Sequence, residues 1–533
     1  MNESNGLKIK FNPLFEQVNE IANIDIKACV KSNRCGCLGA VPGGDHYMEG
    51  AWLADAIWVF NDSLIYFSNQ QQAERYLFSE EPGAMGVIPY FAQLQEKDGD
   101  HAGNIPIAKY NTGAHSYSID YGGMFDLSYD PRVNHRDETP AGAFFIHGMY
   151  RHWKFFNNIT YFSKYYDVSL KFMEYKNRFV DEATGLFKST YGLGDVCIDR
   201  AVRESCALIR VNGECYRMFK RFSEMAKAIG ETETSEKYRL IAEKMLKGIN
   251  EHLWNSKNNR YDIKLFCNPT ENKESPAYGI TKDERFFIEG NMALVFFGIP
   301  DSETKLKSLI AEIDKTSNQF GVDGLAVFPA YPDGWHNKIF DDNNYWNGDI
   351  WPAFAIWYSI GLFKFGYPDR ALDILNRQAK LVKRDGGFYE YYEADEGLKG
   401  KGCNHYGFTT APFQRALVEG LFGIDADYPG SKICIHPSLK SSGSIIAQIG
   451  LHKFNVAVNI YEAENKVHLT IKTTYQGPVD FRVLIKNKIN CCTVTGNSGV
   501  EISSCLKQLE SENYVCFVAD IISGENIFEI ACS

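Results

Sequence analysis

Residues 341–414 read DDNNYWNGDIWPAFAIWYSIGLFKFGYPDRALDILNRQAKLVKRDGGFYEYYEADEGLKGKGCNHYGFTTAPFQ. Two apolar segments stand inside this stretch, at about 350–365 and 368–384, with apolar residues recurring at three and four. That spacing predicts a pair of helices joined by the short turn FGYPDR. Asn343, Tyr345, Trp346, Asn347, Gly348, Asp349 and Trp351 crowd the loop before the first helix. Glu390 stands in Phe388-Tyr389-Glu390-Tyr391-Tyr392, after the second. Flat rings stack on the apolar faces of sugars, and carboxylates and amides bond their hydroxyls, so these loops read as the walls of a carbohydrate pocket.

Working outward, the same pattern recurs through residues 1–428. Candidate helices fall near 12–30, 48–67, 84–95, 140–156, 159–178, 205–229, 235–255, 288–298, 303–315, 350–365, 368–384 and 408–423, which groups them into sequential pairs. Short polar connections alternate with long loops rich in Gly, Asp, Tyr and Trp, and long loops in a compact domain are usually functional. The expected architecture is a mainly α chain, an (α/α)6 toroid of helical hairpins, with an irregular α bundle as the alternative. After Gly430 the texture changes to short runs rich in Val, Ile, Thr, Tyr and Phe, such as FNVAVNIYEA and KVHLTIKTTY, separated by turn signals. Residues 429–533 therefore read as an antiparallel β-sandwich domain without a carboxylate cluster of its own.

Bulk properties narrow the function. The 533 residues are 44% hydrophobic and 23% charged, as in ordinary globular proteins. A formal net charge of −11 disfavours nucleic acid or an anionic membrane surface as the partner. The 14 cysteines show no regular spacing, and Cys35/Cys37 have no second cysteine or histidine pair nearby at zinc spacing, so buried free thiols are the expectation. The polar opening MNESNGLKIKFNPLFEQ lacks an apolar signal core, and no apolar run approaches the roughly 20 residues of a membrane span. A cytoplasmic location with reduced thiols is expected.

Glycoside hydrolysis needs two carboxyl groups, one protonated at the leaving oxygen and one acting as base or nucleophile. Glu390, after the Gly386-Gly387 bend and among tyrosines, is the candidate base. The acid has two candidates. Asp195 follows Gly192-Leu193-Gly194, where glycines let the backbone approach a ligand closely. Glu49 lies in GGDHYMEGAWLAD, with Asp45, Trp52 and Asp55 as companions for sugar hydroxyls and faces; Asp45 also suits a helix N-cap. Asp137 before Thr139-Pro140 either caps a helix or contacts substrate. Glu289 or Asn291 reaches the ring or simply opens a helix, and His405 in Asn404-His405-Tyr406 is a candidate substrate contact.

These residues resemble those of the six-hairpin glycosidases. Tyr345-Trp346-Asn347-Gly348-Asp349-Ile350-Trp351-Pro352 is similar to the YWRGPIWP signature of the processing α-glucosidase and mannosylglycerate hydrolase family, with Asn347 and Asp349 replacing the usual Arg and Pro. Phe388-Tyr389-Glu390-Tyr391-Tyr392 resembles that family's loop bearing the general base, and Asp195 resembles its acid. Cys403-Asn404-His405-Tyr406-Gly407 is similar to the segment that follows the base in α-L-rhamnosidases, whose acid motif is echoed loosely by Asp45, Glu49, Trp52 and Asp55. Both resemblances imply Glu390 as base, and they differ on the acid.

The expected activity is inverting, exo-acting hydrolysis of an α-linked glycoside, with the two carboxyl groups about 6.5–9.5 Å apart. Trp52, Trp346, Trp351 and Tyr389 are expected to wall the pocket, with Asp45, Asp55, Asp137, Tyr345, Asp349 and His405 contacting substrate. The reaction requires no metal or cofactor. An (α/α)6 sugar epimerase or lyase, using a histidine or tyrosine base, and a phosphorylase are the alternatives.

Overall fold

The computed structural model describes residues 6–38, 48, 50–99, 101–106, 108–110, 115–116, 142–188, 206–266, 273, 278–330, 347–394, 397–485 and 491–532. The helices in this set are α1 (Pro13–Cys29), α2 (Leu53–Asp62), α3 (Gln70–Phe78), α4 (Val87–Gln93), α5 (Ala143–Phe156), α6 (Thr160–Lys164), α7 (Tyr166–Asn177), α8 (Ile209–Ala228), α9 (Thr232–Gly248), α10 (Ile288–Phe297), α11 (Glu303–Ser317), α12 (Pro352–Phe365), α13 (Pro368–Asp385) and α14 (Gly407–Arg415).

The hairpin of residues 350–385 shows why the chain folds this way. Pro352 opens α12 with its φ already set, and Gly366, at φ +89°, ends it in the left-handed conformation. Nearly every residue of α12 is buried, as in a helix surrounded by protein on all sides. In α13 only one stripe is buried, Ala371, Ile374, Leu375, Gln378, Ala379, Leu381 and Val382, so this helix covers α12 from the solvent side. The pairs α8/α9 and α10/α11 divide labour in the same way, with Tyr238, Ala242 and Met245 buried on α9 and Leu306, Leu309, Ile310 and Ile313 on α11. Each buried Leu or Ile on such a stripe stabilises the fold by about 1.5–3 kcal/mol. Gly361 lets α12 lie directly on α10, since a Cβ there would come 3.1 Å from Val295 and 3.2 Å from the Phe296 nitrogen.

The inner helices close on themselves. Helix α2 packs on α5, α5 on α8, α8 on α10, α10 on α12, α12 on α14, and α14 returns to α2. Two local readings need correction. Residues 50–52 form a strand paired with Ala108–Tyr110, so α2 begins only at Leu53. Residues 70–78 form a helix that the apolar pattern did not announce; its start is made by the Asn69–Gln72 capping box.

The C-terminal region is rich in sheet. A seven-stranded sheet runs in the order Lys8–Lys10, Gly443–Ile449, His452–Tyr461, Lys466–Thr473, Gly524–Cys532, Cys492–Thr495, Glu501–Ile502, and thus takes a strand from the start of the chain. A five-stranded sheet runs Ile424–Asp427, Lys432–Ile435, Gly477–Ile485, Glu512–Ile521, Ser504–Leu509. Burial alternates along the central strands, which puts one side of each in the core. Phe481 and Phe517 of the five-stranded sheet meet Phe528 of the other, with ring centroids 5.0 and 5.5 Å away. The expectation of purely antiparallel pairing is corrected at one place: Lys432–Ile435 and Gly477–Ile485 run parallel. Among the described residues, no helix is long and apolar enough to cross a membrane.

Candidate active site

Glu390 sits on a small ribbon. Tyr391-Tyr392 pairs antiparallel with Gly400-Lys401, and Tyr392 exchanges backbone hydrogen bonds of 2.9 and 3.0 Å with Ile350. The ribbon is thereby fastened to the loop that opens α12. The Glu390 amide donates to the Cys403 carbonyl at 3.0 Å, and the Cys403 amide returns a bond of 3.3 Å to Oε2 of Glu390. The Cys403 thiol lies 3.6 Å from the same oxygen. Burial, then the Glu390 charge, pushes that thiol far up, so it remains S–H and donates. Glu390 is 3% exposed. Gly402, at φ +69°, makes room for it: a Cβ at 402 would come 2.8 Å from the Glu390 Cβ.

The surrounding residues come from the starts of the inner helices. Asp55, in the first turn of α2, is buried and accepts a 3.0 Å hydrogen bond from the Tyr406 hydroxyl, at the entry to α14. Its carboxyl is pushed up to about 7, first by burial and further by the Glu390 charge, against the pull of the Tyr406 bond. Trp52 precedes Asp55 and is buried. Trp351, at the start of α12, stacks on Tyr391 with centroids 5.6 Å apart at 15°. Asp349 is buried and accepts from the Ala394 amide at 3.2 Å. The Tyr391 hydroxyl is held well above its ordinary range by burial, then by the charges of Glu390, Asp349 and Glu393, which places that ring among the carboxylates. Tyr389 is half-buried, packs 6.0 Å from Tyr392 and covers Gly400.

His405 has φ +59° and a side chain 49% exposed. Its Nδ1 lies 2.6 Å from Oδ1 of Asp25, a buried residue of α1 whose carboxyl is raised by burial, against the opposing pull of His405. A carboxyl group on Nδ1 fixes the ring's orientation and leaves Nε2 as the other ring nitrogen.

Among the predicted residues, Glu390, Asp55, Trp52, Asp349, Trp351, Tyr389 and His405 are thus gathered around the ribbon and the helix starts. Asp195, Glu49, Asp45, Asp137, Tyr345 and Trp346 lie outside the described residues. Glu289 is buried, its Oε1 accepting from Arg210 at 2.8 Å, and the Arg210 guanidinium lies 4.4 Å from the centre of the Phe354 ring. These three open α10, α8 and α12, so the starts of neighbouring inner helices meet. Asn291 instead bonds the Tyr261 backbone and supports the fold. Sequence reasoning missed Asp25 and Arg210. Asp25 lies on an amphipathic helix, where one more charge carries no signal. Arg210 was legible only as a cation at the start of a helix, against the macrodipole, where a buried anion must be near.

Residues 199–409 match the family model of the mannosylglycerate hydrolase MGH1-like glycoside hydrolase domain. The match includes Arg210, Glu289, Asp349, Trp351, Glu390 and His405 and begins after Asp195. Mannosylglycerate hydrolase of Rubrobacter radiotolerans is 23% identical over 235 residues, 41% of this chain and 46% of that protein, so the match spans under half of that relative's length. The structure of α-L-rhamnosidase from Dictyoglumus thermophilum is similar with a TM-score of 0.62 at 14% identity, over 99% of this chain and 51% of that one. GH63 mannosylglycerate hydrolase from Thermus thermophilus, in complex with glucose, is similar with a TM-score of 0.52 at 14% identity, over 74% of this chain and all of that one. Residues 199–409 are thus similar to an MGH1-like glycoside hydrolase domain, and the fold is similar to those of the mannosylglycerate hydrolase and α-L-rhamnosidase structures.

Proposed function

We propose that the protein is an inverting glycoside hydrolase that releases a terminal sugar from an α-linked glycoside, with residues 1–428 forming an (α/α)6 catalytic toroid and residues 429–533 a supporting β-sandwich, to which the first part also lends the strands Lys8–Lys10 and Ile424–Asp427. The closed cycle of inner helices supports the toroid. What supports the reading is the seat of Glu390, a buried carboxyl group held by the Cys403 amide and thiol on the ribbon beside the stacked Trp351 and Tyr391 rings, with a second buried carboxyl group, Asp55, in the first turn of α2. Glu390, oriented by Cys403 and by Gly402 beneath it, takes the proton of the attacking water. Asp195 or Glu49 protonates the leaving oxygen. Asp55, about half protonated at neutrality and more so below it, donates to a sugar hydroxyl in its protonated form and leaves the negative charge on Glu390. Trp351, Trp52, Tyr389, Trp346 and Tyr345 wall the pocket, and Asp349, Asp45, Asp137 and His405 bind hydroxyls.

The test is turnover of mannosylglycerate and of aryl α-mannoside, α-glucoside and α-L-rhamnoside, with proton NMR of the first anomer released. A β-configured first product supports inversion, and an α-configured one overturns it. Glu390→Ala is expected to lose about 100- to 10,000-fold in rate. A second reading, an epimerase or lyase with a histidine base, is favoured by the Asp25–His405 pair. It predicts that His405→Ala is dead while Glu390→Ala retains activity.

A further inference from the structure

We propose that Cys434, His436 and Asp480 form a binding site for a divalent transition-metal ion of the zinc class, built across the parallel strand pair of the five-stranded sheet. Cys434 and His436 are two residues apart along one extended segment, so their side chains leave the same face. Parallel pairing sets Cys434 level with Asp480 on the neighbouring strand. One donor atom from each of the three side chains lies within 4.8 Å of the other two. His436 Nε2 is buried, makes no hydrogen bond, and stands 3.7 Å from Oδ1 of Asp480. Zinc bonds of about 2.3 Å to sulfur and 2.0–2.2 Å to nitrogen and oxygen give a tetrahedron with edges of roughly 3.3–3.6 Å. Small side-chain rotations therefore close the shell and leave a fourth position for water.

The donor set suits zinc. Thiolate and imidazole select it over magnesium or calcium, and the carboxylate completes a charge-neutral set. All three residues are half-buried, which leaves an entry path. Burial keeps the imidazole neutral down to about 4, as a ligand must be, with Arg482 acting in the same direction. Burial, with Asp425 and Asp480, keeps the Cys434 thiol protonated up to about 11, so binding forms the Cys434–metal bond and releases that proton to solvent. The other charged groups acting on the cluster are Lys432, Arg482 and Asp425. Such an ion ties Lys432–Ile435, the second strand of this sheet in the chain, to the parallel strand Gly477–Ile485 beside it.

The experiment uses the full chain, reduced and stripped with a chelator, then titrated with Co2+ and back-titrated with Zn2+. The expected result is a near-ultraviolet sulfur-to-cobalt charge-transfer band with the strong visible absorption of a tetrahedral ion, abolished by Zn2+. Cys434→Ser should lose the charge-transfer band. His436→Gln should weaken Zn2+ binding by about 100-fold or more, and Asp480→Asn by about tenfold. The double variant Cys35→Ser/Cys37→Ser should bind as wild type. Asp480 is partly exposed, so its variant should match the metal-free wild type in circular dichroism and Tm, which separates lost ligation from misfolding. Absence of the band in wild type, its survival in Cys434→Ser, or unchanged affinity in folded Asp480→Asn overturns the proposal.

Discussion

The Tyr406 hydroxyl donates to Oδ1 of Asp55 across 3.0 Å, joining the entry of α14 to the first turn of α2 where the cycle of inner helices closes. Asp55 is held up to about 7 from its ordinary 3.8. Folded and unfolded chains both carry that proton in acid. As pH rises past the unfolded value, the unfolded chain releases it first, so this group's unfavourable contribution grows up to about pH 7 and is constant above. Asp55→Asn removes the contribution. The variant's Tm, relative to wild type, should rise between about pH 4 and 7 and then level off. A Tm difference independent of pH would show that Asp55 is an ordinary carboxylate.

Gly402→Ala tests the seat of Glu390. The added methyl meets the Glu390 side chain, and φ +69° strains any residue but glycine. Displacing a catalytic group by about 1 Å costs up to about 100-fold in rate. The expected result is a fall in kcat of roughly 10- to 100-fold with a smaller change in KM. An unaltered kcat would remove Glu390 from the chemistry.

Asp25→Asn preserves volume and removes the charge that orients His405. The imidazole then loses its fixed Nδ1 partner, and substrate contact weakens. KM should rise by roughly tenfold, equivalent to about 1.4 kcal/mol, with kcat nearly constant. A large fall in kcat at unchanged KM would favour the histidine-base reading instead.

Asp62→Ala tests the fold beneath the site. Asp62 accepts from Arg415 at 2.7 Å and from the Trp357 indole at 2.6 Å, while Arg415 also reaches Glu419 at 2.8 Å, all of them buried. Removing Asp62 leaves the buried Arg415 with Glu419 as its remaining partner in this set and takes the acceptor from the Trp357 indole, and the expected loss is about 3–5 kcal/mol in chemical denaturation. A loss below about 1 kcal/mol would mean that water reaches Arg415.

Much of this was legible locally. The period of α13, and the Pro at the start and Gly at the end of both helices, mark the hairpin, because helix sterics act within a few residues; α12 itself is apolar on all sides and carries no period. Alternating Val and Ile marks the C-terminal strands for the same reason. Glu390 stood out because a carboxylate flanked by rings after a Gly-Gly bend has few structural uses. The strand at 50–52 was not legible, since its partner comes from residues 108–110 and three residues carry no period.

Sequence alone determined most of the long helices, the change to strands after Gly430, and which loop bears the candidate base, since backbone sterics and side-chain periodicity decide these over short spans. Tertiary structure alone decided that α14 meets α2, that Asp25 backs His405, that Glu390 raises Asp55, and that Asp480 stands level with Cys434 and near His436. Those pairings depend on ring closure and strand register, and the energy that selects them comes from burying whole faces, which no short stretch of sequence encodes.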